Sequence, residues 1–143
     1  MTDSDYISTL SYDEKIVFLK IFCCLVRADG KIEADEISFL KDIAGRYGID
    51  NNTVVSIIKE PRINYVDEAR KIKSRQHALQ LVKEMCVLAN IDNDLADNEL
   101  DIVIDSARAM GIEDNKIVLI NRWVLDSLIL SKTGEIIMER DNG

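Results

Sequence analysis

Two short acidic stretches hold the residue types best suited to chemistry in this chain. The first reads Ala28, Asp29, Gly30, Lys31, Ile32, Glu33, Ala34, Asp35, Glu36. The second reads Ile91, Asp92, Asn93, Asp94, Leu95, Ala96, Asp97, Asn98, Glu99. Each sets an Asp on a turn and a Glu in the first turn of the helix that follows. A hard cation such as calcium takes roughly six to eight oxygen ligands from carboxylates, amide carbonyls and backbone. Asp29 with Glu36, and Asp92 and Asp94 with Glu99, are therefore candidate metal ligands, with calcium expected first and magnesium second. The second stretch is not an EF-hand. Leu95 stands where the sharp-turn Gly belongs, and Asp97 stands where that loop wants an apolar residue. The competing reading is that Asp-Gly and Asp-Asn turn the chain while the carboxylates favour the positive ends of helices, with no metal at all.

Other reactive side chains offer less. The three cysteines, Cys23, Cys24 and Cys86, fall in apolar runs and are expected to pack as small hydrophobes in a reducing compartment. His77, the single histidine, starts a helix among basic and polar neighbours and reads as an exposed residue without a catalytic partner. No phosphate loop or dinucleotide fingerprint is present, so no enzymatic activity is expected and no catalytic residue is assigned. A net charge of −8 opposes a phosphate backbone and argues against nucleic-acid binding. The basic residues between positions 70 and 75 read as a solvated helix start or linker. No run approaches the roughly 18 apolar residues of a membrane span, and the first ten residues lack a signal-peptide pattern, so a cytoplasmic location is expected.

The elements that must position these residues are helical. Apolar residues recur at three- and four-residue spacing and strand alternation is missing, which makes the fold class all-α, a compact bundle of about six to seven helices. Ser11 with Glu14 forms a capping box that opens the first helix, whose buried stripe includes Ile16, Leu19, Cys23 and Val26. A second helix is predicted over 34–47, stopped by Gly48, and a third over 52–59, ending before Pro61. Residues 60–72 form a linker with a short turn at 66–69. Helices follow over 74–90, over 97–110 with Gly111 as the stop, and over 114–130. The last of these faces inward with Ile117, Ile120, Val124 and Leu128, and a turn at Gly134 and a polar tail are expected after it.

Sliding the chain along itself by the interval from Asp29 to Asp92 aligns its two parts. Lys20 meets Lys83, Cys23 meets Cys86, Leu25 meets Leu88 and Glu36 meets Glu99. Asp42 meets Asp105, Ala44 meets Ala107, Gly48 meets Gly111 and Ile49 meets Ile112. Residues 1–143 thus read as one domain built from a duplicated three-helix unit, 11–59 and 74–130, packed face to face around one core.

Ala28, Asp29, Gly30, Ile32 and Glu36, with Gly48 and Ile49 closing the helix, resemble the tellurite-resistance TerB-like family, which also includes the N-terminal domain of membrane-anchored DnaJ-like co-chaperones. The resemblance implies a duplicated all-helical domain and a metal site at Asp29, Glu36, Asp92 and Glu99. Ile91 and Asn93 depart from it in the second half. The expected function is a non-enzymatic stress-response module that binds a divalent cation at its acidic turns. The alternative is a protein-interaction module in which those turns only cap helices. Trp123 and residues 136–138 are the candidate contacts for an unidentified protein partner, although Trp123 taken alone reads more readily as core or half-buried.

Overall fold

The computed structural model describes residues 6–28, 34–90 and 97–142. After a 3-10 turn at Ile7–Thr9, seven α-helices occupy them: α1 Tyr12–Val26, α2 Ala34–Tyr47, α3 Asn51–Lys59, α4 Tyr65–Ala69, α5 Arg75–Asn90, α6 Asp97–Ala109 and α7 Asp114–Asn142. Among the described residues there is no strand.

Local chemistry fixes the helix ends. The Ser11 hydroxyl accepts the Glu14 N–H at 3.1 Å, and the Ser11 N–H donates to Glu14 Oε1 at 2.9 Å. This reciprocal cap opens α1 at the expected residue. Asp50 caps α3 by accepting the Thr53 N–H at 2.8 Å, so that helix starts one residue earlier than predicted. Gly48 and Gly111 take φ of +74° and +81°. Behind them, the Ile49 N–H returns to the Ala44 carbonyl at 2.8 Å and the Ile112 N–H to the Ala107 carbonyl at 2.9 Å. Both glycines thus end their helices with the same left-handed closure.

The element starts keep one interval. Tyr12 and Arg75, Ala34 and Asp97, and Asn51 and Asp114 are each separated as Asp29 is from Asp92. The packing repeats as well. In the first half α1, α2 and α3 touch one another, and α5, α6 and α7 do the same in the second. The linker supplies α4, capped by Asn64, which crosses between the halves to pack on both α1 and α6. A single core cluster results, with Phe18, Phe22, Leu25, Leu40, Leu81 and Met85 almost fully excluded from solvent.

The structure departs from the expected chain end. In place of a turn at Gly134 and a polar tail, α7 runs unbroken from Asp114 to Asn142. Gly134 does not adopt a positive φ. An isolated helical Gly costs only about 1 kcal/mol relative to Ala, and the Glu, Ile and Met residues beside it tolerate the helix. The three glycines therefore separate by sign. Gly48→Ala and Gly111→Ala should each lose about 1 kcal/mol, because Ala resists positive φ. Gly134→Ala should gain up to about 1 kcal/mol through helix propensity. Urea unfolding of the three variants checks this, and a stabilising Gly48→Ala would contradict the closure described.

Candidate functional site

Of the five expected metal ligands, Asp29, Asp92 and Asp94 lie outside the described residues. Glu36 and Glu99 sit in the first turns of α2 and α6, each half-buried. Among the described residues, no group of three or more His, Cys, Asp or Glu side chains is placed to hold a metal ion.

The helix ends that lead into the acidic stretches are pinned by polar side chains that sequence reasoning did not single out. At the end of α1, the Arg27 guanidinium donates to the Glu60 carbonyl at 2.8 Å, to the Ile58 carbonyl and to Cys23 Sγ at 3.3 Å. It thereby satisfies carbonyls at the end of α3 that have no helical partner. At the equivalent place in the second half, the buried Asn90 amide donates to the Cys86 carbonyl and to Asn121 Oδ1 on α7, both at 2.8 Å. Asn121 is the repeat counterpart of Ile58. The same crossing from first helix to third is made twice with different chemistry.

A second crossing repeats in the same way. Lys20 reaches Glu60 at 3.6 Å and Glu68 at 3.7 Å. Its counterpart Lys83 lies 5.1 Å from the centre of the Trp123 ring, and Trp123 is the counterpart of Glu60. An ion pair in one half is replaced by a cation–π contact in the other.

His77 is the clearest correction to the sequence reading. It is not an exposed helix residue but half-buried, with Nδ1 at 2.7 Å from Glu14 Oε2 and Nε2 at 3.0 Å from Thr9 Oγ1. Glu14 and His77 are themselves repeat counterparts, so their contact marks where the two halves meet. It lies at the opposite ends of α1 and α5 from the acidic stretches. The Thr9 hydroxyl donates to the Tyr6 carbonyl at 2.6 Å, which leaves both ring nitrogens facing acceptors. Thr, His and Glu in a row invite comparison with a catalytic triad, but the Thr9 proton points away from the ring. The trio ties the 3-10 turn and α1 to α5.

Thiol chemistry is suppressed where it is described. Cys23 and Cys86 are buried and Cys24 is half-buried, its thiol 3.7 Å from the Ile63 carbonyl. Burial pushes Cys86 up to about 12, and burial with the neighbouring Cys23 pushes Cys24 up to about 12. These positions pack, as expected, and carry little thiolate. Three of the four basic residues at 70–75 are engaged with carboxylates: Arg70 with Asp67 at 3.2 Å, Lys71 with Glu68 at 3.1 Å, Arg75 with Glu113 at 2.8 Å.

The unexpected surface is on α7. Val118, Leu119, Trp123, Ile129, Leu130, Ile136, Ile137 and Met138 are each between 54% and 74% exposed. At 100° per residue, all but Met138 fall within an arc of about 140° on the side away from Ile117, Val124 and Leu128. Trp123 is thus more exposed than its residue type suggested, and residues 136–138 are open as the interaction reading requires. Among the described residues no helix is long and apolar enough to cross a membrane.

No protein-family model matches the chain, and neither a curated protein nor a solved structure does.

The Glu14 contact carries a pH dependence. Partial burial pushes its carboxyl up, but the Ser11 N–H and the His77 ring outweigh this and hold it below its ordinary 4.5. A carboxylate depressed in the folded state adds stability above its unfolded pKa and loses it as pH falls through the folded one. Glu14→Gln should therefore shrink the loss of stability on acidification. Urea midpoints from about pH 7 down to about pH 3 test this, and an unchanged acid limb would leave the contact without energetic weight.

Proposed function

We propose that this chain is a non-enzymatic, TerB-like helical module that docks a protein partner through the outward face of α7. What supports the reading is the stripe of large apolar side chains left open on that helix beside an otherwise well-filled core. Surface hydrophobes scattered singly need no explanation, whereas large ones gathered on one side of a helix, here on either flank of Arg122, Asp126 and Thr133, mark a contact surface. In cells, a photo-crosslinking residue replacing Leu130 should capture a protein, while the same residue replacing Asp13, exposed at the start of α1, should not. No adduct at position 130, or equal adducts at both, would sink the proposal.

A second reading, a divalent-cation site at the acidic turns, is favoured by the matched positions of Glu36 and Glu99 in the first turns of α2 and α6. On this reading Asp29, Asp92 and Asp94 complete the oxygen donors, and calcium or magnesium is the ion. Calorimetric titration of the metal-stripped protein with calcium should give saturable heat that the Asp29→Asn, Asp92→Asn variant loses. Absence of heat in the unaltered protein ends this reading. The stress-response setting implied by the family resemblance is compatible with either.

A further inference from the structure

The repeat covers one groove of the bundle and leaves the equivalent groove open. α4 lies in the first of these, packed on α1 and α6. Ile63 and Tyr65 meet the core there, Ala69 is fully buried, and Glu68 reaches Lys20 at 3.7 Å. The Tyr65 hydroxyl donates to Asp105 Oδ2 at 3.3 Å, and the Cys24 thiol donates to the Ile63 carbonyl. Moved by one repeat, α1 becomes α5 and α6 becomes α2, so the equivalent groove runs between α2 and α5. A cavity of about 570 Å³ lies there, lined by Phe39 and Ile43 of α2 and by Val87 and Leu88 of α5, with the 3-10 turn beside it. A space of that size suits a small bound group or a few anchoring side chains.

Residue by residue, the two grooves correspond. Lys83 and Val87 are the counterparts of Lys20 and Cys24, the α1 residues that meet α4 and its approach. Leu25 and Ile102 are 2% and 7% exposed, whereas their counterparts Leu88 and Phe39 are left half-buried. The open groove also carries Arg46, Lys83 and Glu84, and the Gln80 amide already donates to Glu84 at 3.3 Å. Two cations to one acid, in a chain of net charge −8, favour a carboxylate at this place. The sequence does not repeat the filler of the first groove. Asp5 aligns with Glu68, but Thr2 aligns with Tyr65, and residues 2–5 include no apolar side chain.

We infer that the groove between α2 and α5 docks a short amphipathic helix of a partner protein, seated as α4 is seated in the equivalent groove. The occupant's pattern follows from α4: a large apolar residue, a carboxylate three positions on and a small apolar residue at the fourth, as Tyr65, Glu68 and Ala69 stand. Lys20 engages Glu60 and Glu68 together. Lys83 engages Trp123 in the place of Glu60, and the occupant's carboxylate takes the place of Glu68. Anchoring side chains give such a contact its affinity, and the charge fixes its register. The site is separate from the outward face of α7 and does not rest on the role proposed there.

A hydrocarbon-stapled peptide of residues 62–70, closed between positions 66 and 70, is the probe, titrated to about 1 mM into the full chain and followed by NMR. The expected result is saturable shifts centred on Phe39, Ile43, Val87 and Leu88. Lys83→Glu should weaken binding about 10-fold, as should Glu68→Lys in the probe, and the two changes together should restore it. Shifts outside the groove report whether Lys83→Glu keeps the fold; if it does not, the probe change alone decides. No saturable shift, shifts centred instead on the α7 face or on the α4 groove, or binding indifferent to the charge changes overturns the inference. Binding that appears only when residues 1–5 are removed gives the groove to that segment and also overturns it. Dodecanoate is the control: shifts at the groove with it and none with the peptide assign a small amphiphile in place of a helix.

Discussion

Two apolar helices, α1 and α5, constrain everything else. From α1, Val17, Phe18, Leu19, Ile21, Phe22, Cys23, Leu25 and Val26 are all buried, and these side chains point to most of the helix circumference. A helix that apolar must be covered on nearly every side. α1 is accordingly packed by α2, α3, α4, α5 and α6. Burying a large side chain contributes about 1.5–3 kcal/mol, more than a typical net hydrogen bond, so the arrangement around α1 is decided by coverage rather than by polar contacts. One half supplies only α2 and α3 for the task. The remaining cover comes from the other half and from the linker helix, which is why the two halves form one core.

Within that constraint the polar contacts were free to diverge while keeping their places. Arg27 and Asn90 reach from the end of the first helix to the third, one through a guanidinium onto backbone carbonyls and the other through an amide onto an amide. Lys20 faces a carboxylate where Lys83 faces an indole. Glu14 and His77, equivalent by position, became partners of opposite character at the meeting point of the halves. Two copies of one residue there would have brought like groups together, whereas an acid and a base in contact stabilise the junction. The two halves share one geometry, and each pair of equivalent positions carries chemistry suited to its surroundings.

The helices, their caps and the repeat were legible because they depend on local signals: the Ser11–Glu14 spacing, Gly after Tyr47 and after Met110, and apolar periodicity. His77 was misread because its partner lies a full repeat away and comes close only when the halves dock. Arg27 and Asn90 passed unnoticed for a related reason, since a polar residue at the end of an apolar run looks like a helix reaching solvent. Gly134 misled in the other direction. A Gly signals a stop when the backbone must turn left-handed, and at this position no following residue makes the return hydrogen bond that Ile49 and Ile112 make. The acidic stretches were chosen on donor type and spacing. Glu36 and Glu99 stand where that spacing put them, and the three aspartates lie outside the described residues.

The difference between α3 and α7 bears most directly on function. Both start at equivalent residues, Asn51 and Asp114. α3 ends at Lys59 because Pro61 cannot continue it, and Arg27 takes up its terminal carbonyls. Val124 occupies the position equivalent to Pro61, so nothing interrupts α7 there and the helix continues past the bundle. The core gains nothing from that continuation beyond Leu128, the last α7 side chain packed against it. If the extension served only the fold, polar residues would suit its surface better, because exposed Ile and Leu invite association. The chain instead keeps Ile129, Leu130, Ile136 and Ile137 on one arc and puts Trp123 in the place of a glutamate. Stability of the bundle does not account for that choice, which is the ground for the docking role proposed for this face.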